Sequence, residues 1–351
     1  LVWRLVQDHV APGLLFAGTE FGVFFSVDAG ARWVKLEGNS PNIPYRDLVI
    51  QRRENDLVGA TFGRGIFILD DYSPLRLVSE KKLQDKTQLF PVRDAPWYQP
   101  RRRLGCNREN CVASQGAAYY IAPNPPFGAV FTYYLPEALQ SRQETRRKRE
   151  KPIEAAGGDT PFPGWPAVLA ESVEDKPAIV LTVRDEQNGV VRIIEGPVDA
   201  GFHRVAWDLR YPVKDPWIPL AEREESRHNP AGVLAAPGKY SVTIGKRVNG
   251  KLNDLGQRQD FTVYSIREPA LPGSSQQRRV EFALQVDEMK RRNGGAVKSI
   301  EELQLAAAAI KESLLNSTAR PRLYSQVVKL EQRVQRLRDK LVQNELRNTL
   351  G

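Results

Sequence analysis

Apolar residues follow two different rhythms along this chain. Up to about Val263 they come in short runs or alternate with polar residues, and Gly, Pro, Asn and Asp bound the runs, as expected of half-buried strands. Residues 23–25, 118–121, 129–135, 178–183, 190–194, 201–209, 238–244 and 259–263 read this way. Gln187-Asn188-Gly189 and Val248-Asn249-Gly250-Lys251 are tight-turn signals between strands. Beyond Ser274 the spacing becomes helical. One helix is expected over 274–292, stopped by Asn293-Gly294-Gly295. Ser299-Ile300-Glu301-Glu302 has the form of a capping box and opens a second helix running to about Asn316. Pro321 opens a third.

In that third helix Leu323, Val327, Leu330, Val334, Leu337 and Leu341 follow in steps of four and three. This is a heptad seam, which Asn344 continues with a polar group. Two arrangements satisfy it. The short connections favour an antiparallel bundle or helical hairpin within the chain. An intermolecular coiled coil, making a homo-oligomer through the tail, is the alternative.

The opening residues carry a repeat. Leu15-Phe16-Ala17-Gly18-Thr19-Glu20-Phe21-Gly22-Val23-Phe24-Phe25 is echoed by Leu57-Val58-Gly59-Ala60-Thr61-Phe62-Gly63-Arg64-Gly65-Ile66-Phe67-Ile68. The step from Gly22 to Gly65 lies within the roughly 40–50 residues of a propeller blade. After the first copy comes Ser26-Val27-Asp28-Ala29-Gly30-Ala31-Arg32-Trp33, of the form S-x-D-x-G-x-x-W. Asp28 can bond to backbone N–H groups of its own turn, Gly30 can take positive φ, and Trp33 offers a large apolar plate to cover the sheet. Residues 1–75 hold material for about two blades, whereas propellers have four to eight. They are therefore expected to be the terminal blades of a longer protein, of which this is the C-terminal part.

The remaining expected layout is a linker over 76–116, pinned by aromatics such as Trp97 and Tyr98, and then a sandwich over 117–265. Seven short strands with turns between them suit an immunoglobulin-like or fibronectin-like β-sandwich. Residues 140–166, rich in charge, Gly and Pro, read as a loop insertion, and 212–237 as a second long loop. The tail, 274–351, is α-helical. The fold class is thus mainly β with an α-helical C-terminus.

Composition narrows the function little. Hydrophobic residues make up 41% and charged residues 26%, ordinary for a folded protein. No run of 18 apolar residues occurs, so no transmembrane segment is expected. The net charge of +9 permits acidic partners without requiring them. Arg101-Arg102-Arg103 and the basic run over 141–151 lack interleaved aromatics, so no specific nucleic-acid partner is indicated; they read as solvated loops, with polyanion binding the alternative. Cys106 and Cys111 are the only cysteines, and no histidine lies near them. They suit a local disulfide or two free thiols rather than a metal site. No metal and no cofactor is expected.

Several of these residues carry a resemblance. Gly18-Thr19-Glu20-Phe21-Gly22, the turn from Ser26 to Trp33, Asn55-Asp56-Leu57-Val58 and residues 62–71 resemble the closing blades of bacterial sortilin-like Asp-box (BNR-type) propeller proteins. Such proteins are often labelled glycosyl hydrolases. Residues 125–129, 201–210 and 236–240 are similar to the same proteins' C-terminal regions. The chain departs from the family at Phe62, where a His is usual. The resemblance implies an extracytoplasmic protein (secreted, periplasmic or cell-surface) that binds a protein or glycan ligand, or a hydrolase.

The residues favour binding. The polar atoms of Ser26 and Asp28 are consumed in their turn, so the Asp box of Ser26, Asp28, Gly30 and Trp33 is read as structural. Glycosidases need two carboxyl groups flanking the bond. Asp70 and Asp71 are adjacent on an extended segment and point to opposite faces. Arg64, between two glycines, either points at a ligand or pairs with Asp70 or Asp71; these three are the candidate binding residues, and no catalytic residue is assigned. The chain is expected to be a structural and binding module without a complete active site. The alternative is part of a sialidase-like glycoside hydrolase whose catalytic residues lie on further blades.

Overall fold

The computed structural model describes residues 1–78, 86–99, 124–213, 232–267, 273–318 and 320–341. Cys106, Cys111 and the expected strand at 118–121 lie outside these residues. The described chain is mostly β-sheet with a helical C-terminal region. It divides into two compact units: residues 1–209 with 237–268, and residues 210–236 with 269–351.

The first unit opens with an antiparallel sheet in the order β1 (Val2–Gln7), β2 (Leu15–Thr19), β3 (Gly22–Ser26) and β4 (Val34–Lys35). A second antiparallel sheet follows, β5 (Tyr45–Gln51), β6 (Asp56–Thr61) and β7 (Ile66–Leu69). Side chains alternate across each sheet, so each has two faces. Phe16 and Val23 of the first sheet and Tyr45, Leu48 and Leu57 of the second meet in one buried cluster, completed by Tyr72. Phe16 meets the Tyr72 ring edge-on at 5.0 Å. The other face of the second sheet is also apolar but uncovered. Val49, Val58 and Ile68 are paired in register across the three strands, and Ala60 is paired with Ile66 in the neighbouring row. Val49, Ile66 and Ile68 are exposed.

Two further sheets complete this unit. One is ordered β13 (Gly201–Trp207), β10 (Ala129–Leu135), β8 (Gln88–Leu89). The other is ordered β12 (Val190–Gly196), β11 (Ala178–Asp185), β14 (Gly238–Val248), β15 (Lys251–Ser265), β9 (Ala95–Trp97). Their buried aromatics meet: Phe131 lies 5.7 Å from Phe261, and Trp207 lies 5.2 Å from Tyr240. The Asn249-Gly250 turn joins β14 to β15 with both residues at positive φ, 54° and 71°, as a two-residue type I′ hairpin requires. Part of the stretch read as linker is built into these sheets, because β8 and β9 are edge strands and Leu89 and Phe90 are fully buried.

The segment 140–166 is not a loop. α1 (Arg142–Ala155) and α2 (Trp165–Ser172) occupy it and its end. Ser141 and Glu144 form a reciprocal capping box, which satisfies N–H groups the first turn would otherwise leave unpaired. Arg146 pairs with Glu150 one turn on and forks onto Glu171 of α2 at 2.7 and 2.9 Å. The basic run read as solvated coil is therefore a charged surface helix.

The second unit contains α3 (Gln276–Leu315) and α4 (Pro321–Leu341). α3 runs unbroken through Asn293-Gly294-Gly295, so the expected stop and the expected start at Ser299 are both absent. The side chain that caps α3 is Ser275, which accepts from the Arg278 N–H. A Cβ added at Gly294 would meet nothing within 4 Å, so no close approach requires glycine there and its helical conformation costs backbone entropy. α4 returns antiparallel to α3: Gln304 bonds Gln335, and Lys311 pairs with Glu331 at 2.7 Å. Ile300, Ala307 and Val334 are the buried residues of the two helices.

Candidate functional site

The turn from Ser26 to Trp33 is held by its own side chains. Ser26 Oγ donates to Asp28 Oδ1 at 2.7 Å and accepts from the Gly30 N–H at 2.8 Å. Asp28 Oδ1 also accepts from the Arg32 N–H at 2.9 Å. These hydrogen bonds, led by that from Ser26, hold the Asp28 carboxyl below its usual value. Gly30 stands at φ 96°, beside the Trp33 indole. Trp33 itself is exposed.

A second polar cluster was not legible in the sequence. Asp8, at the end of β1, is fully buried and accepts from Arg76 Nε and Nη2 at 2.8 and 2.9 Å, from the Tyr72 hydroxyl at 2.6 Å and from the Ala11 N–H at 2.7 Å. Arg76 Nη2 also donates to Asn55 Oδ1 at 2.6 Å. Burial by itself would raise the Asp8 carboxyl. The hydrogen bonds from Arg76, Tyr72 and Ala11 and the Arg76 charge outweigh it and hold Asp8 well below the carboxylate range. Burial and the Asp8 contact push the Tyr72 phenol up. Every acceptor site of Asp8 faces a donor, so the cluster is a clamp between the first sheet and the chain leaving the second.

Among the three candidate binding residues, Arg64 stands apart from Asp70 and Asp71. Arg64 sits at the exposed β6–β7 tip between Gly63 and Gly65, both at positive φ. It has no ion-pair partner among the described residues, so the expected pairing with Asp70 or Asp71 is absent. Arg204 of β13 takes that place, donating to the backbone carbonyls of both aspartates. Asp71 Oδ1 accepts from the Ser73 N–H and hydroxyl at 3.2 and 2.6 Å. Burial and the neighbouring Asp56 charge push the Asp70 carboxyl up.

The arrangement with open chemistry lies where β1 runs alongside β5. Each of these strands carries a bulge. β1 pairs Val2 with Thr19 and Arg4 with Gly18, leaving Trp3 as the extra residue. β5 pairs Tyr45 with Thr61 and Asp47 with Ala60, leaving Arg46. A bulge re-aims its side chain away from the pleat, and here the two side chains meet. The Arg46 guanidinium lies over the Trp3 indole, 3.5 Å from the ring centre, and 5.1 Å from the Phe62 ring. Arg4 and Asp47 form an ion pair beside them at 3.2 Å. Trp3, Arg46 and Phe62 are all exposed. Among the described residues no carboxylate pairs with Arg46. A stacked guanidinium keeps its N–H edges free, and those edges match a carboxylate.

Among the described residues no group of three or more metal-ligating side chains converges, and no helix is long and apolar enough to cross a membrane. No family model matches the chain, and no curated protein matches it.

Proposed function

We propose that this chain is a binding module from an Asp-box propeller protein of the sortilin-like kind, and that it takes a carboxylate-bearing glycan on the Trp3–Arg46–Phe62 stack. One observation carries the binding reading: two bulges bring a guanidinium, with no carboxylate partner among the described residues, onto an exposed aromatic surface. Aromatic faces accept the C–H faces of a sugar ring, and a guanidinium edge takes a carboxylate in a two-point grip. Arg64, two residues beyond Phe62 and without an ion-pair partner among the described residues, adds positive charge at that tip.

The propeller reading rests on the first two sheets. They meet through one apolar face, and the second shows another apolar face outward, as blades in a radial stack do. The facing pair that follows, joined through Phe131, Trp207, Tyr240 and Phe261, suits an immunoglobulin-like or fibronectin-like sandwich as an accessory domain. An extracytoplasmic setting accompanies this reading.

The test is titration of the full chain with sialyllactose, with oligomers of glucuronic acid and with their neutral counterparts, followed by calorimetry. Saturable binding of an acidic glycan, weakened at least about tenfold in Arg46→Ala and in Trp3→Ala, is expected; one lost charge-assisted contact accounts for that loss. Binding unchanged in both variants, or absent for every acidic glycan, overturns the site. Turnover of sialosides or aryl glycosides that disappears in Asp70→Asn would favour the glycoside hydrolase reading instead.

A further inference from the structure

The hairpin of α3 and α4 carries a row of apolar residues along one side, and among the described residues these stay about half exposed. The Gln304–Gln335 and Lys311–Glu331 contacts mark one flank of the interface between the two helices. Leu303, Ile310 and Leu330 each precede one of those polar residues, so each is turned by about 100° to the opposite flank. Leu337 follows Leu330 by one heptad. All four point to the same side of the hairpin, and they remain 51, 49, 45 and 47% exposed. Leu303 and Ile310 also continue a row that begins, at seven-residue steps, with Phe282 and Met289, which are 68 and 70% exposed. This row extends along α3 beyond the part that α4 faces.

We infer that this face binds a second copy of the chain, hairpin against hairpin, to form a four-helix bundle. The inference does not rest on the glycan-binding reading. A seven-residue repeat on both helices is the pattern that knobs-into-holes packing with further helices requires, and an apolar row kept at that period winds a left-handed supercoil. Ile300, Ala307 and Val334 are fully buried, whereas Leu303, Ile310, Leu330 and Leu337 stay about half exposed, so the apolar pattern is only partly used within one chain. The dimensions also suit a dimer. α4 is about 30 Å long and two helices side by side are about 20 Å wide, giving a face of about 600 Å². The overhanging part of α3 adds about 300 Å², and a stable dimer needs about 800 Å² per partner. A second copy supplies the same row at the same period, so the overhanging Phe282 and Met289 acquire cover along with the rest.

The test is the solution mass of the full chain across a dilution series. A dimer is expected, with the mass halved in Leu330→Lys and in Ile310→Lys while the far-ultraviolet helix signal is kept. Leu305→Lys, on the opposite side of α3, should remain dimeric. Concentration-dependent hydrogen exchange of the unaltered chain covers the case in which both lysine variants lose helix. Protection of 282–310 and 323–341 should then rise with dimerisation. A monomer at every concentration, folded lysine variants that stay dimeric, or protection gained only in the sheets each overturns the inference.

Discussion

Arg76 forks onto Asp8 across 68 positions of sequence, with Nε 2.8 Å from Oδ2 and Nη2 2.9 Å from Oδ1. The Asp8 side chain has no exposed surface and Arg76 little. An ion pair of this kind matters chiefly through what its loss leaves behind, because the surviving charge stays buried without a counter-charge. Asp8→Ala should therefore destabilise the first unit by about 3–5 kcal/mol, read as a lowered urea midpoint. Tyr72→Phe removes one donor of several and should cost about 1 kcal/mol. Equal losses in the two variants would show that the guanidinium is not the principal partner.

The same clamp sets an acid limit. The Asp8 carboxyl is depressed in the folded state relative to about 3.9 in the unfolded chain. A depressed carboxylate contributes its stability above the unfolded value and loses it as pH falls toward the folded one. Stability should thus hold above about pH 4 and fall progressively below it. The fall should be much shallower in Asp8→Asn, which carries no carboxylate there. Acid denaturation curves of the two proteins that superimpose in slope would rule the clamp out as the cause.

Gly294 sits inside α3 with nothing within 4 Å of where a Cβ would lie. Replacing it with alanine lowers the backbone entropy of the unfolded chain and introduces no clash. Gly294→Ala should raise helix stability by about 0.5–1 kcal/mol, seen as increased resistance of α3 to proteolysis at 293–295. A destabilised variant would mean that the helix needs a break there.

The strands between 129 and 265 were legible because each is a short apolar or alternating run, as Ala178–Asp185 and Val190–Gly196 show. Asn249-Gly250 shows how a turn helps: the type I′ form that closes this hairpin has positive φ at both positions, and this pair of residues adopts it cheaply. The helix at Arg142–Ala155 was hidden by its charge, although Ser141 and Glu144 stood at capping-box spacing in plain view. The reverse error occurred at Ser299, where the same spacing falls inside a helix already begun at Gln276. Local capping patterns do not say whether a preceding turn has already satisfied the N–H groups they would cap.

The candidate site divides along similar lines. The hydrogen bonds of Ser26, Asp28 and Gly30 span at most four residues, so they could be read from their own neighbourhood. Trp3 and Arg46 could not, since a bulge exists only relative to the register of a partner strand. Nor could the replacement of Arg64 by Arg204 at Asp70 and Asp71, which depends on β13 lying more than a hundred residues away in sequence.

By itself, then, the order of residues settled the coarse class, a β-rich body with a helical tail, and a turn such as Asn249-Gly250 whose backbone angles those residues adopt cheaply. These follow from interactions across a few positions, which solvent and distant chain segments barely alter. Which strands face each other, which arginine meets which carboxylate, and which apolar rows stay open were decided by tertiary packing alone. Burial and pairing are properties of surfaces brought together from far apart, and a local pattern is compatible with many such meetings.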